Sequence, residues 1–410
     1  MTDPSPAGQH TLRRHNSALV LRAVLDTPGI SRATIAAQTG LAKATVSSLV
    51  DRLIATDLVI ETGLVVRPGR GRRSTGLAPS PTGPHGLGVE IGVDYLATCL
   101  VDLTGQVHDH RVRPGDNRNR PAARVLASAV RAINGALRDA RVPVGGIGIA
   151  VPGLVEADTG LLRVAPNLGW RELDIVAEIG AKLDRPDLRV QVGNEADFAA
   201  AAELGAMGPD GARDFVLVSG EIGIGGGLVV DGLPFRGIRG FGGELGHVTV
   251  DPAGPVCGCG ARGCLEPLAG LDAIMRAAGL GGEPLSALRG RLADGDSRAL
   301  DAVRAAGRWL GIALAAVVNV VDVPCVVLGG SYAELVSWLR EPIASELERR
   351  VVSAAWAPVR IVSATLGGAA AVRGAAAAPV RAIIADPDAY EAGVVHRADV
   401  SRWMSGPAID

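Results

Sequence analysis

Three of the five cysteines fall in one short run, Cys257-x-Cys259-x4-Cys264, and His247 precedes them on the same stretch. Gly258, Gly260 and Gly263 lie between and beside the thiols, so the loop can wrap tightly around an ion. Three thiolates and one imidazole complete the tetrahedral shell of Zn²⁺, and four protein ligands leave no open position for a reactive water. The expected metal ligands are therefore His247, Cys257, Cys259 and Cys264, with zinc in a structural role. The plainer alternative is three thiols in a glycine loop. Cysteines used in this way, without a disulfide framework, suggest a reducing, cytoplasmic setting.

A chain of 410 residues has room for two or three domains. Residues Met1 to His10 are polar and Pro-rich, without the apolar core of a secretory signal. The longest apolar stretch, Leu310 to Leu328, carries Asn319, Asp322 and Pro324, so no membrane span is expected there. The net charge of −2 is unevenly spread: residues 1 to 80 hold ten Lys and Arg against five Asp and Glu, leaving 31 against 38 in the remainder. A small basic segment on an acidic body suits a nucleic-acid reader attached to something else.

The basic segment has the pattern of such a reader. Asn16 to Leu25 predicts a helix ended by Pro28 and Gly29. Ser31 is placed to cap a second helix that runs to Thr39, and Gly40 supplies the left-handed turn. A third helix follows with Val46, Leu49, Val50 and Leu53 on one face. Its other face offers Lys43, Ala44, Thr45, Ser47, Ser48 and Arg52 to bases and phosphates, with Arg32 on the second helix. Leu58 to Glu61 reads as a strand, and Arg70, Arg72 and Arg73, in a loop with Arg67, complete a winged helix-turn-helix suited to phosphates or a minor groove. A small protein-interaction module with a solvated basic loop is the bland alternative.

From Gly86 the texture becomes apolar β-runs broken by glycine: residues 87–93, 97–103, 147–151, 215–218, 226–230 and 326–328. Helical patterns at 122–138 and 301–318 separate them, giving an α/β body with mixed sheets. The expected organisation is a DNA-binding domain at 1–77, a linker at 78–86, a two-lobed body at 87–385 with the zinc loop at 247–264, and a tail at 386–410 to which no role is assigned.

The run Gly243-Glu244-Leu245-Gly246-His247, followed by Cys257-Gly258-Cys259-Gly260-Ala261-Arg262-Gly263-Cys264-Leu265-Glu266, resembles the signature of the ROK family of repressors, open reading frames and sugar kinases. Pro166-Asn167-Leu168-Gly169-Trp170, Gly193-Asn194-Glu195, Gly223 to Gly227 and Val327-Leu328-Gly329-Gly330 add to the likeness, which covers Gly86 to about Ala377. The winged helix-turn-helix in front matches the regulator branch. The resemblance implies a two-lobed, actin-like (sugar kinase/RNase H-like) ATPase fold with sugar bound in the cleft. Carried over by position, Asn167, Asn194, Glu195, Glu244, His247 and Glu266 are the sugar contacts. Carboxylates and an amide can pair with hydroxyls that both donate and accept, and a zinc-held imidazole can offer its second nitrogen.

Departures from the kinase pattern set the functional expectation. The kinases' first strand ends in Asp-x-Gly-Gly-Thr, whereas this chain reads Glu90-Ile91-Gly92-Val93-Asp94. Their second phosphate turn, Gly-Thr-Gly, is replaced by Glu221-Ile222-Gly223, which puts a carboxylate where an anion would approach. The base position, an Asp after Asn, is Glu195, one methylene longer. The chain is therefore expected not to be an enzyme. The expectation is a sugar-responsive transcriptional regulator, a repressor of carbohydrate genes, acting as a homodimer or tetramer on a palindromic double-stranded operator. An ATP-dependent sugar kinase carrying a DNA-binding arm, and a ligand-independent DNA-binding protein, are the alternatives.

Overall fold

The computed structural model describes residues 9–65, 74–208 and 211–391. The N-terminal segment forms α1 (Gln9–Asp26), β1 (Ile30–Ser31), α2 (Arg32–Thr39), α3 (Lys43–Ala55), β2 (Val59–Val65) and β3 (Ser74–Pro79). The Ser31 hydroxyl accepts from Thr34 N at 3.2 Å, and Gly40 closes α2 at φ 72°. Both capping residues act as their side chains dictate. In α3 the stripe Val46, Leu49, Val50 and Leu53 is buried, each residue contributing about 1.5–3 kcal/mol of transfer free energy. β2 and β3 pair antiparallel and β1 lies on the far side of β3, which gives a small three-stranded wing sheet. Residues 66–73, the tip holding Arg67, Arg70, Arg72 and Arg73, lie outside the described residues.

The body follows after a short turn, since β3 ends at Pro79 and β4 begins at His85. Its first lobe contains β4 (His85–Ile91), β5 (Tyr95–Val101), β6 (Val107–Pro114), α4 (Ala122–Asp139), β7 (Val144–Val151) and β11 (Val190–Asn194). Between β7 and β11 lies a small antiparallel sheet of β8 (Leu154–Val155), β9 (Leu162–Ala165) and β10 (Trp170–Leu173). The second lobe contains β12 (Phe215–Gly220), β13 (Ile224–Val230), β14 (Leu233–Phe235), β15 (Cys325–Gly330) and β16 (Arg360–Ser363). The main sheets run β6-β5-β4-β7-β11 and β14-β13-β12-β15-β16. In each, an antiparallel three-strand meander is extended by two parallel strands on the side of its first strand. This duplicated, open, mixed-sheet arrangement is the two-lobed actin-like sugar-kinase fold.

Among the described residues two helices are long and apolar enough to cross a membrane by length and composition: Ser297–Val321, and the stretch Gly367–Ala385 that contains the helix Ala370–Ala385. Both serve as core elements. Leu310, Leu314 and Val318 of the first are buried in the second lobe. The helix Ala370–Ala385 crosses β4, β7 and the helix Glu195–Ala206 at close range. An added Cβ on Gly374 would stand 2.5 Å from the carbonyl carbon of Phe198, and one on Gly88 would stand 2.5 Å from Ala376 N. Small residues on both partners are what permit this approach.

The head does not hang on a loose tether. Val20, Leu21, Ile35, Leu49, Leu58 and Leu77 belong to one contiguous apolar cluster with Ala97, Cys99 and Val101 of β5 and with Val372, Ala376, Val380 and Ile383. The C-terminal helix Pro387–Glu391 completes the seam. Asp388 accepts from Arg13 Nε and Ser17 Oγ, both at 2.9 Å, lies 3.7 Å from Arg52 of α3, and is 8% exposed; Asp386 pairs with Arg14. A carboxylate held this way is costly to remove, because the cations it satisfies stay behind. Asp388→Ala should therefore lose about 2 kcal/mol of stability, read as a lower urea midpoint, with part of the loss masked by salt. An unchanged midpoint would show that the seam rests on apolar contact alone.

Candidate functional site

The duplicated topology sets two equivalent hairpin turns at the cleft: β4 to β5, with Glu90 and Gly92, and β12 to β13, with Glu221 and Gly223. Glu90 is 3% exposed and accepts a short hydrogen bond from the Tyr95 hydroxyl, while its second carboxylate oxygen has no partner among the described residues. The Tyr95 ring lies against Gly92, with ring carbon atoms 2.5 and 2.7 Å from where a Cβ would be. The first turn is thus filled by an aromatic ring. Sequence analysis passed over Tyr95, although its place three residues after Gly92 could have drawn attention to it.

Glu195 begins the helix Glu195–Ala206, directly after β11. Burial pushes its carboxyl up to about 8, with Glu90, Glu221 and Glu244 adding like charge. Burial also pushes Glu90 up to about 7, against the Tyr95 hydrogen bond and with Glu221 adding to the rise. Glu221 meets solvent at the cleft wall, yet enclosure, with Asp94 and Glu334 nearby, lifts it to about 7. In Glu244 burial raises the carboxyl, His247 opposes, and Asp197 and Glu266 reinforce. The cleft therefore gathers carboxyls that resist simultaneous ionisation.

Asn194 is spent on structure. Its Oδ1 accepts from Ala196 N and Asp197 N at 2.7 and 3.2 Å, and its Nδ2 donates to Gly153 O at 2.9 Å, so it caps the helix that presents Glu195. Asn167 is exposed on the short turn Pro166–Leu168, and its Nδ2 comes 3.2 Å from the Cβ position of Gly223. Glu266 reaches the same point and accepts from Ile224 N at 3.1 Å. Gly223 thus lets Asn167 and Glu266 converge on the second turn. Behind them Arg236 and Asp197 form a buried ion pair at 2.8 Å, which sequence reasoning did not find.

His247 ends a one-turn helix, Leu245–His247, with Nε2 4.0 Å from Glu244 and Nδ1 3.7 Å from Cys257 Sγ. Cys259 Sγ and Cys264 Sγ are 3.8 Å apart, and one donor atom from each of the four residues lies within 4.8 Å of the others. The loop is held by Cys257 N donating to Ala261 O at 2.8 Å and by Gly263, at φ 73°, whose missing side chain leaves room for the Asp251 carbonyl. This cluster can coordinate a metal ion, and the second nitrogen of the histidine faces Glu244.

On the head, Lys43, Ala44, Thr45 and Ser48 are exposed on α3 and Ser47 is half-buried. Arg32 turns to its own domain, with Nη1 2.7 Å from Asp51 and Nη2 3.0 Å from Glu61. Arg52 is drawn toward Asp388. Of the expected contacts on α3, Lys43, Ala44, Thr45, Ser47 and Ser48 lie on its outward face, while Arg52 leans toward Asp388.

The cleft carboxyls have a signed pH consequence. A carboxyl whose folded pKa is raised above about 4.5 contributes stability that is full below that value and is lost as pH climbs through the folded pKa of about 8. Glu195→Gln keeps the shape of the neutral form. It should match the wild type near pH 5 and exceed it by on the order of 2 kcal/mol at pH 8.5 in urea unfolding. A gap independent of pH would mean that Glu195 is not held neutral.

Models of two families match the chain: the ROK family over residues 86–380 and the MarR family over residues 12–73. The xylose repressor of Bacillus subtilis strain 168 is 30% identical over 364 residues, 88% of this chain and 94% of that protein. A ROK family transcriptional regulator, described as a homologue of the E. coli MLC protein, superposes with a TM-score of 0.77 at 27% identity, covering 92% of this chain and 97% of its own. A ROK family glucokinase from Streptomyces griseus, solved with glucose and AMPPNP, gives 0.63 at 28% identity, covering 71% of this chain and 98% of its own.

Proposed function

The chain belongs to the ROK family, and on that premise we propose that it is a cytoplasmic DNA-binding transcriptional regulator, a repressor, whose kinase-like body senses a sugar. The observation that carries this reading is the shared apolar cluster joining the head to β5 and to the helix Ala370–Ala385, because a change in the body then has a route to α3. As a homodimer the protein would set two copies of α3 in successive major grooves of a palindromic site, with Lys43, Thr45, Ser47 and Ser48 nearest the bases. The wing arginines would add phosphate contacts.

In the cleft Glu195, Glu244 and Glu266 would take sugar hydroxyls with Asn167, and His247 would offer Nε2. Zinc on His247, Cys257, Cys259 and Cys264 would supply a fixed crosslink that orients that imidazole. Phosphoryl transfer is disfavoured by the Tyr95 ring beside Gly92, by Glu221 at the second turn, and by a general-base position filled by a longer acid whose proton is held to about pH 8. The glucokinase likeness supports the fold of the body and the alternative of turnover.

The deciding experiment is fluorescence anisotropy of the zinc-loaded full chain on DNA from upstream of its own gene, with and without a sugar panel headed by xylose, which the B. subtilis relative's name suggests. Binding should weaken steeply with salt, fall at least tenfold with one sugar, and respond less in Cys259→Ser. Binding indifferent to every sugar and sugar phosphate would leave a ligand-independent DNA-binding protein. The same panel with ATP should release no ADP; sugar-dependent release abolished by Glu195→Gln would instead establish a kinase.

A further inference from the structure

A second group of ligating side chains lies far along the chain from the cysteine loop, at the junction where the head meets the body. His85 opens β4, Asp102 follows β5 and His108 lies on β6, and one donor atom from each stands within 4.8 Å of the others. His85 is 1% exposed, with Nδ1 2.9 Å from Gly83 O, so that nitrogen donates to the carbonyl and Nε2 keeps its lone pair. Its ring meets that of His108 edge-on, centroids 4.5 Å apart. His108 Nε2 is 2.8 Å from Asp102 Oδ2. Asp102 Oδ1 is fixed by Thr104 N, Thr104 Oγ1 and Gln106 N at 2.8, 2.6 and 3.0 Å.

We propose that His85, Asp102 and His108 form a second metal site, for a divalent ion of the zinc class, that staples the first sheet beneath the head. Two imidazoles and one carboxylate are a borderline donor set that suits zinc, and three protein ligands leave a fourth position for water on the side where His108 is 39% exposed. The outer shell is already built: Gly83 O orients one imidazole, and the turn Thr104–Gln106 orients the carboxylate, as supporting groups do around bound metals.

The position gives the site its meaning. Gly83 packs against the Asp57 carbonyl, 2.6 Å from its Cβ position, and Asp57 accepts from Ser80 Oγ at 2.6 Å and Thr82 Oγ1 at 3.0 Å. Asp57 lies two residues beyond the end of α3. An ion on His85 would therefore stiffen the turn through which the body holds the DNA-reading helix.

The test uses the full chain, stripped by chelator under reducing conditions, reloaded with Zn²⁺, desalted and counted by elemental analysis. Two ions per wild-type chain and one in His108→Ala are expected, the remaining cysteine-bound ion serving as the check on folding. Zinc affinity at the lost site should fall by more than about 100-fold, the upper end of what loss of an outer-shell group costs. Co²⁺ loading separates the sites: the thiolate charge-transfer band should persist in His108→Ala while the absorption of the nitrogen- and oxygen-bound ion disappears. One ion per wild-type chain, or two that persist in His108→Ala, overturns the assignment. The count needs neither DNA nor sugar, so it stands or falls apart from the proposed function.

Discussion

The helix Ala370–Ala385 packs against the head, the first lobe and the second lobe at once, and the arrangement depends on how small its side chains are. One face, Val372, Ala376, Val380 and Ile383, completes the apolar cluster of the head and β5. Another, Ala370, Ala371, Ala375 and Ala378, joins Phe198 of the helix Glu195–Ala206 and Phe215, Leu217 and Val327 of the second lobe. The spacing within each set follows helical periodicity, so a single rod carries two separate cores. Bulkier residues at Gly374 or Ala375 would force the lobes apart, because strand and helix backbones already meet there. An alanine-rich helix buries little area per residue, and its stabilisation comes from close backbone approach and dense packing.

The cleft follows a different rule. Carboxyls from β4, the helix start at Glu195, the β12–β13 turn and the flank of the cysteine loop converge there, and the Arg236–Asp197 pair is buried behind them. Burial raises the pKa of these carboxyls and neighbouring acids add to the rise, so Glu195, Glu90 and Glu221 end near 7 to 8. Such a surface would offer a dense set of donors and acceptors to a neutral polyol, because a protonated carboxyl donates as well as accepts. This hydrogen-bonding capacity underlies the proposed choice of sugar over nucleotide.

Much of this was legible in sequence wherever local chemistry dictates structure. Ser31, Gly40 and the apolar stripe of α3 needed only capping, left-handed geometry and helical period. The cysteine spacing carried its own geometry. β6 was not legible, because as an exposed edge strand its sequence, Val-His-Asp-His-Arg-Val-Arg-Pro, has little apolar alternation. The double duty of Asn194, the inward turns of Arg32 and Arg52, and the role of Asp386 and Asp388 depend on partners that are distant in sequence. The first tail residues were opaque for the same reason: Asp386 and Asp388 make sense only once α1 is packed beside them.

The seam and the shared helix together constrain how a ligand in the cleft could be felt at α3. Asp388 binds α1 directly and reaches α3 through Arg52, while the helix preceding it is fixed to both lobes. A change in lobe angle cannot be absorbed by a flexible linker, because residues 80–84 are tied by Asp57, Ser80 and Thr82 and are too few to act as a spring. The displacement must either move the head as a body or break the seam. Moving the head preserves the apolar cluster and the Asp388 contacts, whereas breaking it exposes both. The cheaper path is therefore rigid-body reorientation of the head, which leaves α3 intact; in the proposed dimer such a movement would change the spacing of the two heads on DNA.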